Sequence, residues 1–329
     1  MDVPEKWCKL AFHDQCVAIL LNFMAKLFVM TKLDAWMKAF RLRTLALSFS
    51  VIAMGSAMAF QQGFFRLDVM LLALLTTLFL QILSNLSNDY GDAISGADHA
   101  GRVGPSRMVQ SGRITPSEMK RMMVIFSLLA LISGILLLMI SVGDLLSWQF
   151  GLFLLLGLGA IAAAIKYTVG VKPYGYMGLG DLFVFLFFGL VGVVGTYFLH
   201  AASFNWLVVL PATAVGLLSV GVLNVNNMRD EESDRRAGKT TLIVRHGRVW
   251  GRTYHLLLVL VAVLSMVIYT VMVEGNWHNW LFLLVLPLLL RHLQAIFKTE
   301  ERAALDPQLK ILSLSTLLMT ALFFVGLLF

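Results

Sequence analysis

Acidic and amide side chains gather at two places in this 329-residue sequence, each at the end of a long apolar run. The first, NLSNDYGDAISGAD, carries Asn85, Asn88, Asp89, Asp92 and Asp98. The second, NVNNMRDEESD, carries Asn224, Asn226, Asn227, Arg229, Asp230, Glu231, Glu232 and Asp234. Residues three and four apart share a helix face. Asn85, Asp89 and Asp92 therefore form one stripe, and Asn226, Asp230 and Asp234 a second. If the stripes face each other, four carboxylates and two amides surround one space, and that much negative charge asks for a counter-ion. Mg²⁺ fits the request, because it takes one or two carboxylates and completes its shell with substrate phosphates. Acids at helix ends are often only solvated loop charges. Two stripes of helical spacing on one side of the chain's apolar elements argue against that here.

Cations follow both clusters. Arg102, Arg107 and Arg113 lie after the first, Lys239 and Arg245 after the second. Arginine grips phosphate oxygens with two parallel hydrogen bonds, and lysine acts as a point charge. Arg107, Arg113, Arg229 and Lys239 lie nearest the acidic stripes, so they are the candidate diphosphate ligands. A general bias of membrane loops toward Lys and Arg is the competing explanation for each. GKTT at 238–241 is no nucleotide loop: position 233, where a phosphate-binding loop needs glycine, is Ser233, and no strand precedes it. A third stretch, KYTVGVKPYGYMGLGD (166–181), is rich in Gly and Tyr and contains Lys172. Lys172 joins the candidate diphosphate ligands. Tyr167 and Tyr174 could wall an aromatic acceptor or a developing cation, since ring faces attract positive charge.

The elements that must position these groups are membrane helices. Hydrophobic residues make up 59% of the chain and charged ones 14%, with mean hydropathy +0.81. Soluble domains average about 45–50% and about 25%. Nine runs of about the roughly 20 residues that a span needs fall at 44–62, 69–88, 121–142, 149–167, 180–199, 205–226, 254–273, 277–294 and 309–329. Of the 26 Lys and Arg residues, 25 then fall on one side and Arg66 alone on the other. By the positive-inside rule the N-terminus is cytoplasmic, the C-terminus lies outside, and both acidic clusters face the cytoplasm. The expected fold is an all-α integral membrane bundle of nine helices over residues 44–329. The net charge of +7 is dispersed over short loops and gives no reason to expect nucleic acid as a partner.

Residues 1–43 form an N-terminal cytoplasmic or interfacial segment. Its apolar stretch at 17–30 is short and interrupted by Lys26, so it reads as an interfacial helix or as an extension upstream of a start at Met30. Cys8 and Cys16 fit no metal-ligand pattern and receive no role.

The motifs resemble the UbiA superfamily of intramembrane prenyltransferases over roughly residues 32–329. Within it, LQILSNLSNDYGDAISGADHAGRVGPSRMVQSG, YTVGVKPYGYMGLGD and LNVNNMRDEESDRRAGKTTLIVRHG are similar to bacterial enzymes that prenylate 1,4-dihydroxy-2-naphthoate. The resemblance implies Mg²⁺ held by Asp89, Asp92, Asp230 and Asp234, with Asn85, Asn88 and Asn226 assisting. It also implies a polyprenyl diphosphate donor, a naphthoate acceptor that loses CO₂, and a demethylmenaquinone product for menaquinone biosynthesis. Other acceptors, such as 4-hydroxybenzoate, belong to the same class of reaction. A cation-coupled transporter is the alternative from another class, but such sites sit near the bilayer midplane. One departure is visible: the superfamily often carries a further acid where this chain has Gly96, and Asp98 is the nearest substitute.

Overall fold

A computed structural model describes residues 32–96, 104 and 107–329. Cys8, Cys16, the 17–30 stretch, Asp98 and Arg102 lie outside the described residues. The described chain is helical, without strands. In order it forms α1 (Lys32–Phe40), α2 (Leu45–Gln61), α3 (Leu67–Ile94), α4 (Pro116–Ser141), α5 (Trp148–Lys166), α6 (Gly180–Ala201), α7 (Trp206–Arg236), α8 (Leu242–Met272), α9 (Trp277–Lys298) and α10 (Ala303–Gly326). Eight of these are long and apolar enough to cross a bilayer, and there are nine such spans among the described residues if the bent pair of α1 and α2 is counted as one. The chain is a multi-pass membrane protein. α1 and α2 meet at 46°, where Arg41 adopts the left-handed conformation (φ 50°, ψ 54°). The division expected at 43/44 falls at this bend. α1 nonetheless packs inward, with Ala35 and Ala39 buried beside Phe126 of α4.

α7 is the central helix. It packs against α2, α6, α8 and α10. Its crossing with α6 depends on glycines, because a Cβ on Gly189 would lie 2.9 Å from the Ala212 carbonyl oxygen, and one on Gly216 2.9 Å from the Gly189 Cα. Small residues let membrane helices approach this closely. On the periphery, Leu128, Ile132 and Leu136 of α4 point outward at four-residue spacing, as a lipid-facing stripe requires.

Three helices are longer than their apolar runs. α3 continues six residues past 88 to Ile94 and α7 continues ten past 226 to Arg236, while α8 begins at Leu242 rather than 254 but is broken by a kink at Gly247 (φ 82°, ψ 168°). Hydropathy falls at the polar residues, but the backbone hydrogen bonds do not stop there. The polar side chains find partners inside the protein, so the second acidic motif is helical throughout and the first is helical as far as Ile94.

Candidate active site

A cavity of about 470 Å³ opens between α2, α3, α4, α5, α6 and α7. One end is polar and the other is lined by side chains such as Leu131, Leu138, Phe153, Phe187 and Val191. The polar end collects both motifs. From α3 it takes Asn85, Asn88 and Asp92, and from α7 Asn226, Asn227, Asp230 and Asp234. Arg107 and Lys239 line it too.

The two motifs meet at a single cation. Lys239 Nζ lies 3.2 Å from an oxygen of Asp92 and 3.2 Å from one of Asp234. The sequence bends back to allow this. After α7 ends, Gly238 adopts φ 71°. Its N–H donates to the Arg235 carbonyl, and the Lys239 N–H donates to that of Asp234. These two bonds are a Schellman cap. The cap turns Lys239 over the last turn of the helix, so Asp234 receives its backbone N–H on the carbonyl and its ammonium on the carboxylate. Burial pushes the Lys239 ammonium down, but Asp92 and Asp234 outweigh it and hold the group above the usual lysine range.

Asp92 has several partners. Besides Lys239 it accepts from Arg107 at 2.8 Å and from the Tyr176 hydroxyl at 2.6 Å. The Tyr176 ring carries the Lys239 ammonium 4.6 Å from its centroid, and its carbonyl accepts from the Thr240 N–H at 2.7 Å. Tyr176 thus fastens the 167–179 connection to both motifs. The sequence reading marked this loop as an aromatic wall but named Tyr167 and Tyr174. All three tyrosines line the cavity. Spacing within a loop does not tell which ring faces inward.

Tyr167 and Tyr174 stand edge to face at 5.3 Å, and Tyr174 stacks on Phe183 at 4.1 Å. The Tyr174 hydroxyl donates to the Ala163 carbonyl. Burial raises both phenols above the usual tyrosine range, so both stay neutral. The loop lies against α3 at Gly91, where a Cβ would be 2.6 Å from the Thr168 carbonyl oxygen. Thr168 in turn donates from its hydroxyl to the Ser87 carbonyl and to Asn88.

Four expected site residues are placed differently. Asp89 is 1% exposed and is not part of the cavity wall, and its two oxygens accept the N–H groups of Met108 and Val109 at 2.9 and 3.0 Å. The α3 face turned to the cavity runs through 85, 88 and 92. Position 89 could join Asn85 and Asp92 on one stripe, but Asn88 occupies the inward position. Arg229 is 2% exposed and is fully engaged within the protein. It donates to both Asp230 oxygens, to Asn226 and to Asp306, which ties α7 to α10. Arg113 is exposed and pairs at 3.5 Å with Asp34, and Lys172 is exposed outside the cavity. The loop positions of Arg113 and Lys172 turn them to the protein's outer surface.

The expected repulsion among bare carboxylates is also met differently. Arg107, Arg229 and Lys239 supply countercharge from the protein itself. Among the described residues no three Asp, Glu, His or Cys side chains form a closed metal cage. Two carboxylates brought to one point beside amide oxygens nevertheless suit a hard cation that completes its shell with phosphate. Gly96, where the superfamily often has an acid, has φ 74° and terminates α3.

Sequence reasoning also missed Arg41, Ser48 and Gln81, which line the cavity from the α2–α3 side. Ser48 donates to Gln81, which donates to Thr44, and Asn85 donates to Thr44 and to the Phe40 carbonyl across the α1–α2 bend. These residues lie inside or beside apolar runs and form no compact motif.

Known proteins agree with this architecture. A 1,4-dihydroxy-2-naphthoate octaprenyltransferase from Haemophilus influenzae is 45% identical over 92% of this chain and 99% of its own length. One of the same name from Escherichia coli is 43% identical over 90% and 96%. The structure of a UbiA homologue from Archaeoglobus fulgidus bound to DMAPP and Mg²⁺ superposes with a TM-score of 0.53 at 18% identity, covering 86% of this chain and 98% of that one, which shows a shared fold. Residues 48–325 match the UbiA prenyltransferase family, and the chain belongs to it.

Proposed function

We propose that the protein transfers a polyprenyl group from its diphosphate to 1,4-dihydroxy-2-naphthoate, releasing diphosphate and CO₂, as a step of menaquinone biosynthesis. The observation that carries this reading is the convergence of Asp92 and Asp234 on one cationic point at the polar end of an otherwise apolar cavity. The polar end suits a diphosphate and the apolar end an isoprenoid tail. The names of the relatives supply the acceptor.

Asn88, Asp92, Asn226, Asp230 and Asp234 would hold Mg²⁺. Bound Mg²⁺ neutralises charge growing on the departing diphosphate. Arg107 and Lys239, held at the polar end by Asp92 and Asp234, would donate to the phosphate oxygens as positive groups already in place. The C1–O bond breaks with its electron pair leaving on diphosphate, and C1 becomes cation-like. Tyr167, Tyr174 and Phe183 present ring faces and edges to that region and exclude water, so the cation is shielded without a nucleophile being offered. The ring carbon that bears the carboxylate then forms the new bond to C1. The carboxylate departs as CO₂, and the electron pair of the broken bond restores the aromatic ring.

The polar end belongs to the helix ends and loops that carry nearly all Lys and Arg. The positive-inside rule supports a cytoplasmic opening in a bacterial inner membrane, where a soluble aromatic acid would enter while the product stays in lipid.

Membranes containing the protein, given Mg²⁺, a polyprenyl diphosphate and each candidate aromatic acid, test the proposal by mass analysis. Prenylated naphthalenediol lacking the carboxyl carbon is expected from dihydroxynaphthoate. Turnover of 4-hydroxybenzoate with its carboxyl retained, and none of the naphthoate, would overturn the acceptor assignment.

A further inference from the structure

Asp89 faces away from the cavity that Asn85, Asn88 and Asp92 line. Both of its oxygens are occupied, one by the Met108 N–H at 2.9 Å and the other by the Val109 N–H at 3.0 Å. The Met108 side chain is fully buried beside Ile114 and Met119, which fixes those amides against α3. Turning the carboxylate toward a metal would leave two buried backbone donors without partners, a costly exchange.

The residue before Met108 is Arg107, whose guanidinium reaches Asp92 at 2.8 Å and lines the cavity. α3 therefore grips one segment twice, about one turn apart. Asp89 holds its backbone and Asp92 holds its side chain. The Arg107 side chain is long, and its approach to the site depends on where residues 107–109 are anchored.

We propose that Asp89 is a positioning residue and not a metal ligand: its carboxylate clamps the Met108 and Val109 amides so that Arg107 enters the polar end of the cavity and meets the diphosphate. The clamp itself is independent of the acceptor. Only the identity of the ligand met by Arg107 rests on the transferase reading.

Three measurements on the full-length protein in detergent or nanodiscs test it. By hydrogen exchange, the Met108 and Val109 amides should be slow in the unaltered protein and in Asp92→Asn, and fast in Asp89→Asn. By electron paramagnetic resonance with Mn²⁺ as the probe, Asp89→Asn should bind the metal as the unaltered protein does, while Asp92→Asn should not. In turnover, Asp89→Asn should raise KM for the prenyl diphosphate about tenfold, the effect of one charge-assisted hydrogen bond. It should raise it no further in an Arg107→Ala background, because coupled residues are non-additive.

Loss of Mn²⁺ binding in Asp89→Asn with amides 108 and 109 still protected would overturn the proposal. So would fast exchange of those amides in the unaltered protein, a result that does not depend on the variant accumulating. If naphthoate proves to be the wrong acceptor, exchange and Mn²⁺ binding still decide the role of Asp89.

Discussion

Asp92 on α3 and Asp234 on α7 share one ammonium, with Lys239 Nζ 3.2 Å from each. Neither carboxylate contacts the other's helix through its own motif. Residues after α7 close the gap, with Tyr176 of the 167–179 connection as a second brace on Asp92. Loss of either acid should therefore remove one side of a shared binding point and leave the bundle in place.

Asp92→Asn and Asp234→Asn are each expected to lower kcat by about 10²–10³-fold, the scale seen when one preorganised electrostatic group is removed. Membrane insertion should be unchanged, because both side chains are at helix ends. EDTA should stop the unaltered enzyme and Mg²⁺ should restart it, while neither variant recovers at raised Mg²⁺. Quantifying product by mass spectrometry against the amount of inserted protein is the check, and near-normal turnover in either variant counts against the shared site.

Lys239→Met should raise KM for the prenyl diphosphate more than it lowers kcat for a substrate already bound. The change removes a point charge, and Met keeps the stem's packing. Arg should not substitute fully, since a planar fork is poorly suited to a position between two single carboxylate oxygens. Steady-state kinetics with Lys239→Met and Lys239→Arg separate loss of charge from loss of geometry.

Much of this site was legible because its chemistry is written in adjacent turns. The spacing of Asn226, Asp230 and Asp234 gave the α7 cavity face directly. On α3 the same rule admits two stripes, 85/89/92 and 85/88/92, and spacing cannot choose between them. Partners from the loop after α3 decide it, as they draw Asp89 outward. Lys239 was selected by proximity in sequence, but its bridging position depends on the cap at Gly238. Arg229 was also selected by proximity, and its guanidinium is engaged by Asp230, Asn226 and Asp306, the last a partner far away in the chain. The eight long spans among the described residues were visible in hydropathy, as was the α2 run that forms part of the bent pair. Their polar extensions were not, because hydropathy does not register a helix that continues into a polar protein interior.

Arg229 should behave as a structural residue. Arg229→Ala breaks the buried pair with Asp230 and the tie to Asp306, and breaking a buried pair costs about 3–5 kcal/mol. Arg229→Lys should recover little, since one ammonium cannot serve Asp230, Asn226 and Asp306 together. Thermal unfolding in detergent should show both variants melting lower, with the same Mg²⁺ requirement in the folded fraction.

Alkaline pH should reveal the buried Tyr174. Its phenol is raised above the usual range by burial, so the folded protein holds that proton more tightly than the unfolded chain does. Stability is then indifferent to this group below the usual tyrosine range and falls as pH climbs above it. Tyr174→Phe removes that loss but gives up the hydrogen bond to Ala163, worth about 1 kcal/mol. Melting temperatures should show the variant slightly less stable at neutral pH, with a shallower decline in alkali.

Gly91 and Gly96 separate contact from conformation within one motif. At Gly91 an added Cβ meets the Thr168 carbonyl oxygen at 2.6 Å, and a backbone atom cannot swing aside. Gly91→Ala should force the 167–179 connection off α3, at about 1–3 kcal/mol for overpacking. Activity should fall as well, because Tyr176 and Asp92 lose their registration. Thr168→Ala should not rescue it, as the carbonyl remains. At Gly96 nothing lies within 4 Å of the added Cβ, and the cost is only that of φ 74°, about 1–2 kcal/mol for a left-handed residue with a side chain. Gly96→Ala should thus lower the melting temperature while kcat holds. If Gly91→Ala keeps full turnover, the close approach of the loop to α3 is not what sets Tyr176 on Asp92.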